Sequence, residues 1–306
     1  MTARARARNP IRGAIDWGEI APLRLRARQI AEGVYSGAHR SSLRGAGIEF
    51  GGYREYVAGD DLRWLDRRSL LRHDRLLVRQ FETETDRTLS LLVDASASMG
   101  YRGEGAPGAK VAFAALLAAV LARIALAGGE PVSLTYLAGG PGTHPVSRST
   151  GRDQFERVIA SLEGIEAGGD AMLDPAMLDR AVQSLVRATR RGAIVVVFSD
   201  LLDLPDDAER RIAEMAPSGR VLVVVQTLDP AEATFPFTGT VRLRALEGDA
   251  VVETDAATAR ERYLAALGAL TQRWRDAVVR RGGRFVFAST AEPAVNVVRE
   301  IVRAIR

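Results

Sequence analysis

The sequence predicts an α/β fold, a doubly wound and mostly parallel sheet covered by helices on both faces. Three observations predict it. Several short segments are almost wholly apolar, at 89–93, 193–198 and 221–226, as strands buried on both faces must be. Stretches of ten or more residues with helical spacing separate these segments, so the strands are joined by crossovers rather than hairpins. Two of the apolar segments end in a carboxylate, Asp94 and Asp200, and ligands in such sheets gather outside the carboxyl ends of the strands.

Taken in chain order, residues 17–35 place Ile20, Leu23, Ile30 and Val34 at helical spacing, with Arg24, Arg26 and Arg28 between them. That pattern predicts one amphipathic helix. A Gly-rich stretch at 45–52 and a polar segment at 53–68 follow, with Gly59-Asp60 as a turn. Residues 75–82 alternate as a strand does. From residue 87 the expected order is strand 88–93, helix 109–127, strands 132–138 and 143–147, helices 152–163 and 175–190, strand 193–198, helix 206–216 and strand 221–226. A β-hairpin over 240–254 turns at Gly248-Asp249. A long helix over 256–281, a strand over 284–288 and a helix over 293–305 complete the chain. The expected division is an N-terminal basic extension, 1–86, and a sheet domain, 87–306. The most apolar segment, 111–127, is rich in Ala, follows Lys110 and contains Arg123. It is expected to be a buried amphipathic helix, and no transmembrane segment is expected.

Composition narrows the chemistry. Apolar residues make up 47% of 306 residues, enough for a full core. There is no cysteine, which excludes disulfides, zinc–thiolate sites and cysteine nucleophiles. His39, His73 and His144 are far apart in sequence, so a histidine-rich metal site is not expected. The net charge of +4 is local in origin, because residues 1–80 hold sixteen arginines against nine acidic residues. Lys110 is the only lysine, a bias that fits GC-rich codon usage and weakens the Arg excess as a sign of nucleic-acid binding. The Arg-rich start, 1–10, lacks the apolar stretch of a secretory signal. With the lack of cysteine, this leads us to expect a cytoplasmic protein.

The segment Asp94-Ala95-Ser96-Ala97-Ser98 carries the sharpest chemistry. Asp94, Ser96 and Ser98 alternate on one short loop, so their side chains can converge as three oxygen donors. Oxygen-only donor sets suit hard divalent cations, magnesium, manganese or calcium. Two hydroxyls and one carboxylate leave such a cation electron-poor and able to accept a carboxylate from outside. The competing reading is a helix N-cap, since Asp and Ser after a strand often cap the next helix. A second strand-end carboxylate, Asp200, favours the metal. In segment 53–68, Arg54, Asp60, Asp61, Arg63, Asp66, Arg67 and Arg68 alternate in sign. They read either as a surface salt-bridge network of small energetic value or as a platform for a partner.

The loop, with Met99 after it, resembles the metal-ion-dependent adhesion site of von Willebrand factor A domains, and Ser199-Asp200-Leu201 resembles that site's later aspartate. Over most of its length the chain is similar to domain-of-unknown-function family 58. Its members are von Willebrand factor A-like proteins often encoded beside MoxR-type AAA+ ATPases. The stretches that carry this are Gly47-Ile48-Glu49-Phe50, Tyr53-Arg54-Glu55-Tyr56, Gly59-Asp60-Asp61-Leu62-Arg63, Leu65-Asp66, Val78-Arg79-Gln80-Phe81-Glu82, the adhesion loop, Phe198-Ser199-Asp200 and Leu228-Asp229-Pro230-Ala231-Glu232. The resemblance implies a Rossmann-like sheet with metal ligands Asp94, Ser96, Ser98 and Asp200. Where the adhesion site takes a threonine from a Gly-Gly-Thr loop, this chain reads Gly168-Gly169-Asp170. Asp170 then either replaces that ligand and adds a negative charge, or acts through water, or caps a helix. A second departure is Leu65-Asp66-Arg67, where the family shows Ile-Asp-Trp.

The function expected on this basis is a non-enzymatic, metal-ion-dependent protein-binding module. It would hold magnesium, or manganese or calcium, and act with a MoxR-type ATPase on a protein client. Two alternatives come from other classes. A magnesium-dependent hydrolase or phosphotransferase would use Asp94 and Asp200. It normally needs further acids or a lysine at strand ends, whereas Lys110 falls within a helix and no phosphate-cradling loop occurs. Nucleic-acid binding would use the Arg-rich first eighty residues, with Trp17, Tyr35, Phe50, Tyr53, Tyr56 and Trp64 stacking on bases.

Overall fold

The computed structural model describes residues 15–37, 49–55, 77–82, 87–169, 175–189, 191–202, 204–216, 219–244 and 251–305. The chain divides into two compact units, residues 38–87 and the remainder. In the smaller unit, β1 (Glu49–Glu55) pairs antiparallel with β2 (Leu77–Glu82). The register slips between Phe50 and Gly52, so Gly51 breaks the alternation that would have marked β1 as a strand. The turn expected at Gly59-Asp60 and the alternating charges from Asp60 to Arg68 lie outside the described residues.

The larger unit includes α1 (Leu23–Gly37), so residues 15–37 group with the sheet rather than with residues 38–87. Then come β3 (Leu89–Asp94), α2 (Lys110–Ala127), β4 (Val132–Leu137), β5 (Val146–Ser149), α3 (Arg152–Glu163), α4 (Pro175–Ala188) and β6 (Ile194–Ser199). After these come α5 (Ala208–Ala213), β7 (Val221–Leu228), α6 (Pro230–Thr234), β8 (Thr240–Arg244), β9 (Val251–Asp255), α7 (Ala256–Arg280), β10 (Arg284–Ser289) and α8 (Ala294–Ile305). The main sheet has the order β10-β7-β6-β3-β4-β5. Its first five strands are mutually parallel, and β5 is an antiparallel edge. The hairpin expected over 240–254 is the β8–β9 pair, and its turn at Gly248-Asp249 is outside the described residues.

Both faces of the sheet are buried, which is why its strands read as continuous apolar runs. Leu91, Val93, Val196, Phe198, Val223 and Val225 face a core built with α1, α2, α3 and α8. Their neighbours Leu92, Val195, Val197, Leu222 and Val224 face a second core built with α4, α5 and α7. This is the period of two along each strand, with apolar residues in both phases.

Helix α2 was expected to be amphipathic and is not. Its positions from Lys110 to Ala122 are buried all round, because α1, α3, α8 and the sheet enclose it. Ala114, Ala115, Ala118, Ala119 and Ala122 are fully buried and let the neighbours approach closely. By length and composition α2 could cross a membrane, but in the fold it is the core helix.

The chain runs from β3 to β4 on one side and returns to β6 on the other. The reversal of strand order therefore falls between β3 and β6. The crevice of a doubly wound sheet opens at such a point. Asp94 ends β3 and Asp200 follows β6, so both carboxylates stand at that crevice.

Candidate metal centre at the sheet switch point

The loop after β3 is fixed by backbone hydrogen bonds on two sides. Ala95 N–H donates to the Leu137 carbonyl at 2.8 Å, and Ala97 N–H donates to Gly169 at 3.2 Å. Gly168 N–H donates back to Ala95 at 2.8 Å. Ala95 and Met99 are buried in the core, which fixes the phase of the loop. The Gly168-Gly169 stretch thus lies against the loop after β3, with Gly169 at φ +82°, a conformation that favours glycine. Asp170 itself lies outside the described residues.

Helix capping does not account for these side chains. The 3-10 turn that follows, Ser98–Gly100, has Ala97 at its N-cap and no side-chain cap bond, and α2, which starts at Lys110, has none from Ala109. The Asp94 carboxylate is 1% exposed. It accepts the Ser96 N–H at 2.9 Å through Oδ1 and the Ser199 hydroxyl at 2.6 Å through Oδ2. The Ser96 and Ser98 hydroxyl oxygens are 3.1 Å apart, and both residues are buried. The loop therefore gathers one carboxylate and two hydroxyls.

Asp200 is fully buried, and its neighbours hold it in place. Its Oδ1 accepts the Leu202 N–H at 3.0 Å, and its carbonyl accepts the Gln226 side-chain amide at 3.3 Å. Gln226, also fully buried, takes the Thr271 hydroxyl at 3.0 Å on its other side.

The remaining Asp200 oxygen leads to a feature the sequence reading did not anticipate. Lys110 Nζ donates to Asp200 Oδ2 at 2.7 Å and to Glu232 Oε1 at 2.5 Å. The Lys110 side chain is fully buried. Glu232 reaches it because Leu228-Asp229-Pro230-Ala231-Glu232 turns from β7 straight into α6. Asp229 caps that helix through Ala231 N–H at 2.8 Å, and Glu232 Oε2 takes the Asp229 N–H at 3.0 Å, a capping box. Asp229 also holds Gly103 N–H at 2.8 Å, leaving no space for a Cβ at Gly103. Two signals in the sequence could have found this network. One is the D-P-A-E capping pattern after an apolar strand, and the other is the presence of one lysine in a chain that otherwise uses arginine.

The two aspartates differ in their partners. Burial, then the charge of Asp200, pushes the Asp94 carboxyl up to about 6, against hydrogen bonds from Ser199 and Ser96. Among the described residues no basic side chain pairs with Asp94. Burial alone would lower the Lys110 ammonium, but Asp200 and Glu232 outweigh it and hold Lys110 above the ordinary lysine value. Burial raises Glu232, with the Lys110 charge working against it. Tyr263, close to the same cluster, is pushed up to about 12, first by burial and then by Glu232.

The donor set fits a hard divalent cation. Asp94 is a buried carboxylate with no counter-ion among the described residues, next to two hydroxyl oxygens and facing a second carboxylate. Among the described residues no group of three or more His, Asp or Glu side chains is placed to hold a metal. Among the described residues a cation would therefore rest on Asp94, Ser96 and Ser98, with Asp200 engaged by Lys110.

Known proteins similar to this chain include uncharacterized proteins of Mycobacterium tuberculosis (Rv1480) and Mycobacterium bovis (Mb1516). Each is 31% identical over 252 residues, covering 79% of this chain and 76% of the relative. Among solved structures, BatB from Bacteroides thetaiotaomicron is similar at 17% identity and a TM-score of 0.44, over 71% of this chain and 98% of that one. A von Willebrand factor type A protein from Catenulispora acidiphila is similar at 13% identity and a TM-score of 0.36, over 75% of this chain and 43% of that one. Residues 52–273 match the profile described as Protein of unknown function DUF58. With that match and the mycobacterial identity over most of its length, the chain belongs to the DUF58 family, the family its loop after β3 and its upstream segments resemble.

Proposed function

We propose that this protein is a metal-ion-dependent protein-binding module. The observation that carries this reading is the buried Asp94 carboxylate, without a basic partner among the described residues, beside Ser96 and Ser98 at the switch point of the sheet. Magnesium is the ion these ligands suit in a cell, and manganese and calcium are accepted by the same oxygens. A bound ion would supply a positive centre at the sheet edge that an acidic side chain of a partner can complete. This chain's own part is to hold the loop rigid through Ala95, Ala97 and Gly168, and to keep the Asp94 carboxylate aimed through Ser96 and Ser199. The role is binding rather than catalysis. The partner that the family resemblance supports is a MoxR-type ATPase, acting on a protein client. A binding assay between the purified protein and that ATPase tests this reading. Association is expected with magnesium and is lost with chelator or with Asp94→Ala. Equal association under all three conditions contradicts it.

One observation favours a second reading. The lysine that phosphotransfer chemistry needs at strand ends, which the sequence placed only in a helix, reaches Asp200 in space. Both of its anchors are carboxylates and its side chain is closed to solvent, so no phosphoryl oxygen can reach the ammonium in this arrangement. The enzymatic reading is therefore second. Metal-dependent turnover of a generic phosphoester, lost in Asp94→Ala, would reverse the order.

A further inference from the structure

Lys110 is costly where it stands. It is fully buried, and it occupies the first position of α2, where the positive end of the helix dipole disfavours a cation. The two carboxylates it touches offset most of that cost, and the Tyr101 ring, its centroid 5.9 Å from the ammonium, adds a weaker cation–π contact. Those carboxylates come from different strand ends: Asp200 follows β6 and Glu232 stands in α6 after β7. Lys110 is also the single lysine among forty-two basic residues. Arginine's planar fork differs from this compact, mobile point charge on a flexible stem, which can be withdrawn from one partner without leaving the other. Asp200 thus stands between two groups. On one side it faces the Asp94 cluster, and on the other it is neutralised by an ammonium that belongs to the chain itself.

We propose that Lys110 is a resident cation that competes with the divalent metal for Asp200. While its ammonium pairs with Asp200 and Glu232, Asp94, Ser96 and Ser98 are what the described residues leave open to metal, and the ion is held weakly. Withdrawal of the ammonium hands Asp200 to the ion as a second charged ligand. The affinity of the site is then conditional, set by which cation holds Asp200. This deepens the metal reading given above and rests on it.

The test uses the full chain and manganese as the probe, by titration calorimetry. Lys110→Met/Glu232→Gln removes one positive and one negative charge together, so the net charge of the cluster is unchanged while Asp200 is freed. Glutamine at 232 keeps the capping box. Manganese binding is expected to tighten by about tenfold or more, as ligand charge count governs affinity in oxygen sites. Adding Asp200→Asn to this variant should remove the gain. Affinity equal to or weaker than wild type in a variant with a cooperative melt overturns the proposal. So does a gain that persists with Asp200→Asn, because Lys110 would then act by a route other than Asp200. If the double variant does not fold, Glu232→Gln alone concentrates the ammonium on Asp200 and should weaken manganese binding several-fold, and unchanged binding overturns the proposal. Heat in the wild type without a gain in the variants refutes the competition alone. No heat in wild type or in any variant refutes the metal reading and the competition with it.

Discussion

At the scale of single residues, Asp94 makes the unliganded protein less stable than it could be. In the folded chain burial, then the charge of Asp200, pushes its carboxyl from 3.8 up to about 6. Between these values the folded state holds a proton that the unfolded chain has released. Stability therefore falls as pH rises through that window, and the cost persists above it. Asp94→Asn removes the charge and keeps the shape. In chelator at pH 7.5 this variant should melt above the wild type, with the difference shrinking towards pH 4, and it should gain nothing from magnesium. A wild type that melts higher than Asp94→Asn in chelator at pH 7.5 would count against a strained, ion-seeking carboxylate. Stability given up at one position for a binding site is a common exchange in proteins.

At the scale of elements, two features should show their worth on substitution. Helix α2 packs through alanines, and Ala118 is fully buried in the core that α2 shares with α1, α3, α8 and the sheet. Ala118→Leu forces side chains into a filled core and should cost about 1–3 kcal/mol in denaturant unfolding. The edge strand β5 is tied to the sheet by Gln154, whose side-chain amide donates to Val132 and Ser147 carbonyls, each at 2.8 Å. Gln154→Ala leaves both acceptors without that donor and should cost about 1–3 kcal/mol, with hydrogen exchange rising first at Val146–Ser149. Elements were legible in proportion to their length and pattern. The runs in β3, β6 and β7 are apolar in both phases and could hardly be anything but buried strands. Strand β1 hid in a Gly-rich stretch because Gly51 and Gly52 erase alternation across a register slip. Helix α6 is five residues long, too short to show a period, and only its capping box marks it.

At the scale of the whole molecule, the fold brings to one place residues that lie far apart in the chain. The switch point was readable in outline, since carboxylates at the ends of apolar strands foretold Asp94 and Asp200 at one edge. The Lys110–Asp200–Glu232 triad was not, because its members are 90 and 122 residues apart and each looks ordinary alone. Lys110 read as a helix residue, Glu232 as part of a family signature, and Asp200 as a metal ligand. Only the parallel order β3-β6-β7, with α2 laid across it, turns these readings into one network. The same order explains why a cation at Asp94 would stabilise the entire sheet: its ligands stand on the loop after β3, the central strand of the fold. At saturation the gain follows the concentration of ion relative to its Kd, about 2.7 kcal/mol at a hundredfold excess.

The central claim is that Asp94, Ser96 and Ser98 hold a divalent cation. Titration calorimetry of the purified protein with magnesium, manganese and calcium, beside Asp94→Ala, tests it most directly. One ion should bind per chain, with a matching rise in melting temperature, and Asp94→Ala should abolish both. No heat and no thermal shift with any of the three ions, or an Asp94→Ala variant that binds as the wild type does, would contradict it.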